Sequence, residues 1–248
     1  MRQLFVTIIT LALALTSNTA ARNSRKDSVS DSASDQALRF YARAETMPFD
    51  EFLRRLRPGR ISPELKARAL SVLVKNDLVA PSAQDQVKLA ALRPILRYHE
   101  REDFIEPKVL RVRQATVAML AGAAVIITES ALKILSAEEL QAVVAHELAH
   151  EYFWNEIEQA REQRQPLKMR ELELRCDGLA IITLARLGLN PACFIAAVEK
   201  LTKYNGRAGI VTSSEAYPSL AERREFCCAM IEMVRARGEI AAPAIAHR

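Results

Sequence analysis

The chain contains only four histidines, and two of them fall in His146-Glu147-Leu148-Ala149-His150, an H-E-x-x-H pattern. Four residues along an α-helix turn through about 400°, so the two imidazoles lie within about 40° of each other and about 6 Å apart along the axis. Such a pair can close on one Zn²⁺ at bond lengths of about 2.0–2.1 Å. Glu147 stands one step round the helix, beside the position a water would take. A water polarised by the metal titrates near neutral pH, and Glu147 is the base that could accept its proton.

Two histidines do not make a catalytic site; a third protein ligand is needed, with the fourth position open. Candidates lie in Glu171-Leu172-Glu173-Leu174-Arg175-Cys176-Asp177. Glu173 and Asp177 are four apart and share one helix face. This suggests that Glu173 ligates the metal and that Asp177 accepts the free ring N–H of a ligand histidine, which fixes its tautomer. Glu171 points about 200° away from Glu173 and is the weaker candidate. The expected cofactor is one Zn²⁺ per chain, held by His146, His150 and Glu173. His99 and His247 have no partner at ligand spacing and are expected at the surface.

These side chains need helices to hold them. Ser136 and Glu139 form an S-x-x-E capping box. Leu140, Val143, Val144, Leu148 and Phe153 then recur on one face, which predicts a helix running to about Gln163, with Pro166 as a break. A second helix is expected over about Lys168–Leu187, stopped by Gly188. Further helices are expected over Pro191–Tyr204 and Ser219–Arg237, with a loop at Asn205–Pro218. Upstream, Lys108–Arg113 alternates apolar and basic residues, as a half-buried strand does. Thr116–Thr128 is small and apolar and reads as two strands meeting near Gly122, although one buried helix fits the same apolarity. Gln36–Leu56 reads as helix interrupted near Pro48. Ser62-Pro63 opens a helix to about Lys75, and Ser82–Tyr98 reads as a helix kinked at Pro94. The expected class is α+β, mostly helical, with a small sheet and the metal between two helices.

Composition narrows the function classes. With 7 Gly and no G-x-G-x-x-G or G-x-x-x-x-G-K pattern, the chain has no glycine-rich phosphate loop. The +5 net charge is spread along the chain rather than gathered in a stripe, which argues against nucleic acid as a partner. The densest basic run, Arg54-Arg55-Leu56-Arg57, follows Asp50 and Glu51 and reads as a solvated helix face.

The N-terminus has the three-part layout of a secretory signal: Arg2, an apolar Leu4–Leu15 run, and small residues at Thr19-Ala20-Ala21. The run is short for a membrane span, which needs about 20 residues. An uncleaved anchor is the alternative to cleavage. The expected organisation is a signal peptide at 1–21, a flexible Ser/Asp-rich linker at 22–35, an N-terminal helical region at 36–107, a catalytic core at 108–238 and a loose tail at 239–248. Export makes disulfides permissible. One bridge from Cys193 to Cys227 or Cys228, and four small free thiols including Cys176, fit the sequence equally.

Residues 136–150, Ser-Ala-Glu-Glu-Leu-Gln-Ala-Val-Val-Ala-His-Glu-Leu-Ala-His, resemble the active helix of the HtpX-like and CAAX-prenyl-protease-type zinc metallopeptidases, and Glu173-Leu-Arg-Cys-Asp177 resembles their E-x-x-x-D motif. The resemblance runs from about Val109 to Arg223. It implies a zincin-like fold, Glu173 as third zinc ligand and Asp177 as partner of a ligand histidine. Two departures stand out. Relatives carry Asn-Ala-Phe on the strand before the active helix, where this chain has Val117-Ala118-Met119. Relatives also carry His-Pro-x-x-x-x-Arg after the third-ligand helix, where this chain has Tyr217-Pro218 and Arg223. A tyrosine hydroxyl is a donor and could serve the oxyanion in place of the histidine.

The resemblance implies a zinc metalloendopeptidase that hydrolyses extended or unfolded polypeptides outside the cytoplasm, in a periplasmic or secreted setting, in envelope protein quality control. Peripheral contact with a membrane stays open. The rival reading is a non-catalytic zinc-binding or chaperone-like module that holds misfolded proteins. Glu147 argues for the enzyme, and the altered strand and Tyr217 argue for the module.

Overall fold

Thr116–Thr128 forms two strands rather than a helix. β2 (Val117–Leu120) and β3 (Ala124–Thr128) pair antiparallel, with Met119 opposite Val125. The turn between them places both Ala121 (φ 47°) and Gly122 (φ 68°) in the left-handed region, and the Ala123 N–H donates to the Leu120 carbonyl at 2.7 Å. This is the backbone of a type I′ hairpin, which a glycine accommodates without strain. β1 (Glu106–Leu110) pairs parallel with β3, giving the order β1-β3-β2. β2 is therefore an edge strand. β3 is the sheet's centre and is buried throughout.

The computed structural model describes residues 32–43, 47–73, 77–210 and 215–238. The signal segment, most of the linker, the tail and His247 lie outside the described residues. Five helices precede the sheet: α1 (Ala33–Ala42), α2 (Phe49–Leu56), α3 (Pro63–Leu70), α4 (Ala83–Ala90) and α5 (Arg93–Tyr98). Six follow it: α6 (Glu129–Ile134), α7 (Ala137–Tyr152), α8 (Trp154–Glu162), α9 (Pro166–Arg186), α10 (Ala192–Arg207) and α11 (Leu220–Ala236). The described chain is mostly helical with one small sheet, the α+β class expected.

α7 and α9 pack along each other at the centre. α9 is also flanked by α1, α8 and α11, and α10 covers α7. Both central helices are buried nearly all round, from Glu139 to Ala149 and from Leu172 to Ala185 with only Arg175 partly open. A helix without a solvent face has its neighbours, not its amphipathicity, to fix its rotation. One such neighbour is Tyr41 of α1, fully buried, whose hydroxyl donates to the Arg175 carbonyl. A Cβ on Gly178 would fall on the edge of that ring, 2.9 Å from Cζ. Gly178→Ala must therefore push α1 off α9. Overpacking of this kind costs about 1–3 kcal/mol, and a chemical denaturation midpoint unchanged from wild type would contradict the packing described.

Several boundaries differ from the sequence expectation. The linker ends earlier than residue 35, because Ser32 and Asp35 cap each other and start α1 at Ala33. The helix from Ser62 stops at Leu70. The Ser82–Tyr98 segment is two helices, because Pro94 opens a new first turn, where its missing N–H costs nothing. The sheet begins at Glu106, two residues before the expected core boundary. The active helix does not continue to Gln163. Phe153 leaves helical geometry (φ −113°, ψ 12°), buries its ring against Phe40 at 5.5 Å, and α8 starts afresh. The four cysteines are free, with Cys176 and Cys227 buried, Cys193 half-buried and Cys228 exposed, so no Cys193 bridge is present.

His99 is not a surface residue. It is 1% exposed, with Nδ1 2.8 Å from the Tyr152 hydroxyl and Nε2 3.1 Å from the Thr183 hydroxyl. It ties the end of α5 to α7 and α9. Burial, helped by the Arg57 and Arg101 charges, lowers its pKa to about 3. An unfolded histidine titrates near 6.5. As pH falls below about 6.5 the unfolded chain takes up a proton that folded His99 refuses, so this site's contribution to stability is lost as pH falls from about 6.5 towards 3. The loss approaches about 1.4 kcal/mol per pH unit. Against His99→Gln, the wild-type stability advantage should therefore shrink by about 2 kcal/mol between pH 6.5 and 4.5. Denaturation curves at both pH values check this, and a pH-independent difference would contradict it.

Candidate metal centre

The capping box that opens α7 is present: Ser136 Oγ accepts from the Glu139 N–H at 3.2 Å, and Glu139 Oε2 accepts from the Ser136 N–H at 2.8 Å. Two and a half turns later α7 presents His146, Glu147 and His150. Their metal-ligating atoms lie within 4.8 Å of one another and could hold a metal ion. The two histidine rings are 4.9 Å apart and perpendicular.

α9 supplies the facing carboxylate. Glu173 Oε2 lies 3.7 Å from His146 Nε2, and Glu173 Oε1 lies 4.0 Å from His150 Nε2. Ligand atoms of a tetrahedral zinc site sit roughly 3.4 Å apart, given bonds of about 2.0–2.1 Å. The two carboxylate-to-imidazole separations, 3.7 and 4.0 Å, lie somewhat above that spacing. Glu147 is also near both histidines, but its Oε2 accepts the Met119 N–H of β2 at 3.0 Å. That bond holds Glu147 beside the position that Glu173 faces. Glu173 thus faces both ring nitrogens with its two oxygens, while Glu147 is tied to the β2 backbone.

Behind the rings, His146 Nδ1 lies 2.9 Å from Asp177 Oδ1, at an angle short of a straight hydrogen bond. Both His146 Nδ1 and Asp177 Oδ2 are buried without a well-aligned partner, and a small rotation lets these neighbours satisfy each other. His150 Nδ1 lies 3.6 Å from the Cys176 Sγ. Phe194 of α10 stacks on His146 at 5.5 Å and 21°. Arg223 of α11 donates to Glu173 Oε2 at 2.9 Å and to Asp177 Oδ1. It thus braces two carboxylates of α9 at the same oxygens that face His146. Tyr217 is half-buried in the turn before α11. Its hydroxyl pKa is pushed up to about 12 by burial and by the Glu173 and Glu147 carboxylates, which places the residue in the field of the site.

The electrostatics separate the groups by role. Burial lowers the His150 pKa to about 4, against the pull of Glu173, so it is neutral at pH 7 as a metal ligand must be. Burial acts the same way on His146, but Asp177, Glu147 and Glu173 outweigh it and hold its pKa above the ordinary value. Burial and the neighbouring Glu173 raise Glu147 to about 7, against His146 and the Met119 N–H. Burial would also raise Glu173, but His150, Arg223 and His146 hold it below the ordinary carboxylate range.

The structure thus brings together every residue expected at the site: His146, Glu147, His150, Glu173, Asp177 and Arg223, with Tyr217 at its margin. Glu171 is turned away, into ion pairs with Arg175 and Lys168. Sequence reasoning missed Cys176, Phe194 and Met119. Cys176 was legible, since it is three residues from Glu173 and so shares its helix face. Phe194 comes from a third helix and has no spacing signal. Met119 acts through its backbone, so its side chain carries no signal either. No protein-family model matches the chain, and no curated protein matches it significantly.

Proposed function

We propose that this chain is a zinc-dependent metalloendopeptidase of zincin-like fold that hydrolyses extended or unfolded polypeptides outside the cytoplasm. The observation that carries the reading is the convergence of His146 Nε2 and His150 Nε2 on the two oxygens of Glu173, with Glu147 held alongside by the Met119 N–H. The donor set fits zinc: two imidazole nitrogens and a carboxylate, each backed by a further group, form a catalytic-type set with room for water. The bound metal would supply Lewis acidity, polarising the scissile carbonyl and the attacking water. Among the described residues no helix is long and apolar enough to cross a membrane.

Glu147 takes the proton of the attacking water and passes it to the leaving amine. A base works best with a pKa near the operating pH, and its value of about 7 meets that condition. Asp177 orients His146, and Arg223 helps keep Glu173 ionised and holds both Glu173 and Asp177 in place. In an antiparallel edge, alternate residues turn their backbone groups outward. β2 does so at Val117 and Met119, since Thr128 N–H donates to the Thr116 carbonyl and Met119 N–H points to Glu147. The outward carbonyls can pair with the backbone of an extended substrate, which suits an enzyme that reads chains rather than folded surfaces. The Met119 contact uses only a backbone N–H, so the departure from Asn-Ala-Phe to Val-Ala-Met leaves it intact.

Tyr217 is the candidate oxyanion donor. An interaction made mainly in the transition state lowers kcat more than it raises KM when removed. Tyr217→Phe should retain zinc and lose about 10²–10³ in kcat. Steady-state kinetics on an unfolded protein substrate check this, and wild-type kcat would remove Tyr217 from the mechanism. The reading as a whole is tested by adding and removing a chelator during cleavage of such a substrate. Activity must vanish with the metal and return with Zn²⁺.

A further inference from the structure

A trough of about 650 Å³ opens at the end of β2. Its floor is Met119, Ala121 and Gly122, so it starts at the residue that holds Glu147 and runs on past the hairpin turn. One wall is α3, which buries no residue in the core. Leu65 and Ala69 of α3 line the trough at i and i+4, and Val72, just beyond the helix, lines it too while packing against the sheet cluster of Leu120, Ala124 and Ile126. Leu65 is 49% exposed. Tyr152 and Trp154 also line it, at the break between α7 and α8, with the Phe153 ring between them buried in the core. Two of the three basic residues on its lining, Arg60, Arg68 and Arg101, are engaged in ion pairs. Arg101 pairs with Glu151 at 2.8 Å, and Arg60 pairs with Asp103 at 2.7 Å. The third, Arg68, is exposed and keeps its charge in solvent, so the trough offers mainly apolar surface.

We infer that this trough receives a bulky apolar side chain of an extended polypeptide lying antiparallel along the outer edge of β2, two or three residues N-terminal of the bond that is cleaved. The inference rests on the metalloendopeptidase reading and names the class of substrate it takes: chains with exposed apolar segments. The position follows from strand geometry. Antiparallel pairing is the more stable arrangement per residue. β2 runs from the metal centre towards the trough, so an antiparallel partner has its N-terminal side there. Ala121 lies two residues beyond Met119, at the start of the hairpin turn and at most about 7 Å along the chain, which bounds the separation from the bond beside Glu147. Leu65, Ala69, Tyr152 and Trp154 then close on the side chain, as in pockets that rely on shape and burial with few polar groups.

Trp154 is the chain's only tryptophan and lines the trough, so its fluorescence reports occupancy. The probes are two tryptophan-free peptides of about ten residues that differ only by Leu or Asn at the third position before a single cleavable bond. With zinc-loaded Glu147→Gln protein, which binds without turnover, the Leu peptide should shift Trp154 emission and bind at least about tenfold more tightly, a difference of about 1.4 kcal/mol. The zinc-loaded wild type should show a similar preference in kcat/KM. Leu65→Asp should abolish the preference for the Leu peptide over the Asn peptide. Ala69→Glu, at a second half-exposed position of α3, should do the same if Leu65→Asp fails to fold. Equal binding and equal cleavage of the two peptides, with Trp154 silent, would overturn the inference and leave the peptidase reading standing. Cleavage of neither peptide nor of an unfolded protein by zinc-loaded wild type would instead overturn the peptidase reading on which the inference rests.

Discussion

Replacing Glu147 by Gln should abolish most proteolysis and leave metal binding intact. The amide keeps the size and the acceptor oxygen, so the Met119 N–H keeps its partner. It cannot accept the water's proton at neutral pH. General-base catalysis contributes about 10²–10⁴ to the rate, and the loss in kcat should fall in that range. His146, His150 and Glu173 are untouched, so zinc content should match wild type. Undiminished kcat in a zinc-replete Glu147→Gln protein would remove Glu147 from the chemistry. Loss of both zinc and activity would show instead that Glu147 is itself a ligand, as its nearness to both histidines allows.

Arg223→Ala should give the largest loss of stability. Arg223 is the cation that faces Glu173 and Asp177, and the three side chains are 11%, 6% and 0% exposed. Removing one partner of a buried ionic cluster leaves uncompensated charge and costs about 3–5 kcal/mol. Part of this loss should be recovered with Zn²⁺, because a cation bound by Glu173 replaces one of the two charges that Arg223 neutralises, and ligand binding to the folded state stabilises it by mass action. Denaturation of wild type and variant, each with and without Zn²⁺, measures both effects. A variant as stable as wild type in chelator would contradict the role assigned to Arg223.

The site was legible in the sequence where its chemistry depends on helical spacing. The H-E-x-x-H pair, Glu173 and Asp177 each follow from residues four apart on a helix, and the capping box at Ser136 fixed where that helix begins. What spacing cannot carry is contact between elements far apart in the chain. Met119 reaches Glu147 through a backbone N–H, and Phe194 reaches His146 from α10, with no pattern in either segment to announce it. The resemblance, not spacing, pointed to Arg223, and the structure gives it two carboxylates to brace.

Elsewhere the misreadings have local causes. A Ser/Asp-rich stretch read as linker contains the cap of α1, because capping and disorder favour the same residues. His99 was placed at the surface for want of a ligand partner, yet two hydroxyls from α7 and α9 satisfy it in the core. The active helix ends at Tyr152, eleven residues before the expected Gln163, where the Phe153 ring is buried in the core and α8 starts afresh.

The account turns on a metal held by three named side chains, so the most direct test is the metal content of the purified chain by mass spectrometry, beside that of His146→Ala and Glu173→Ala at equal protein concentration and with folding checked by circular dichroism. Wild type should carry one Zn²⁺ per chain, and each folded variant should lose most of it. Full zinc occupancy in folded His146→Ala, or wild type that takes up no zinc when it is supplied, would contradict the account.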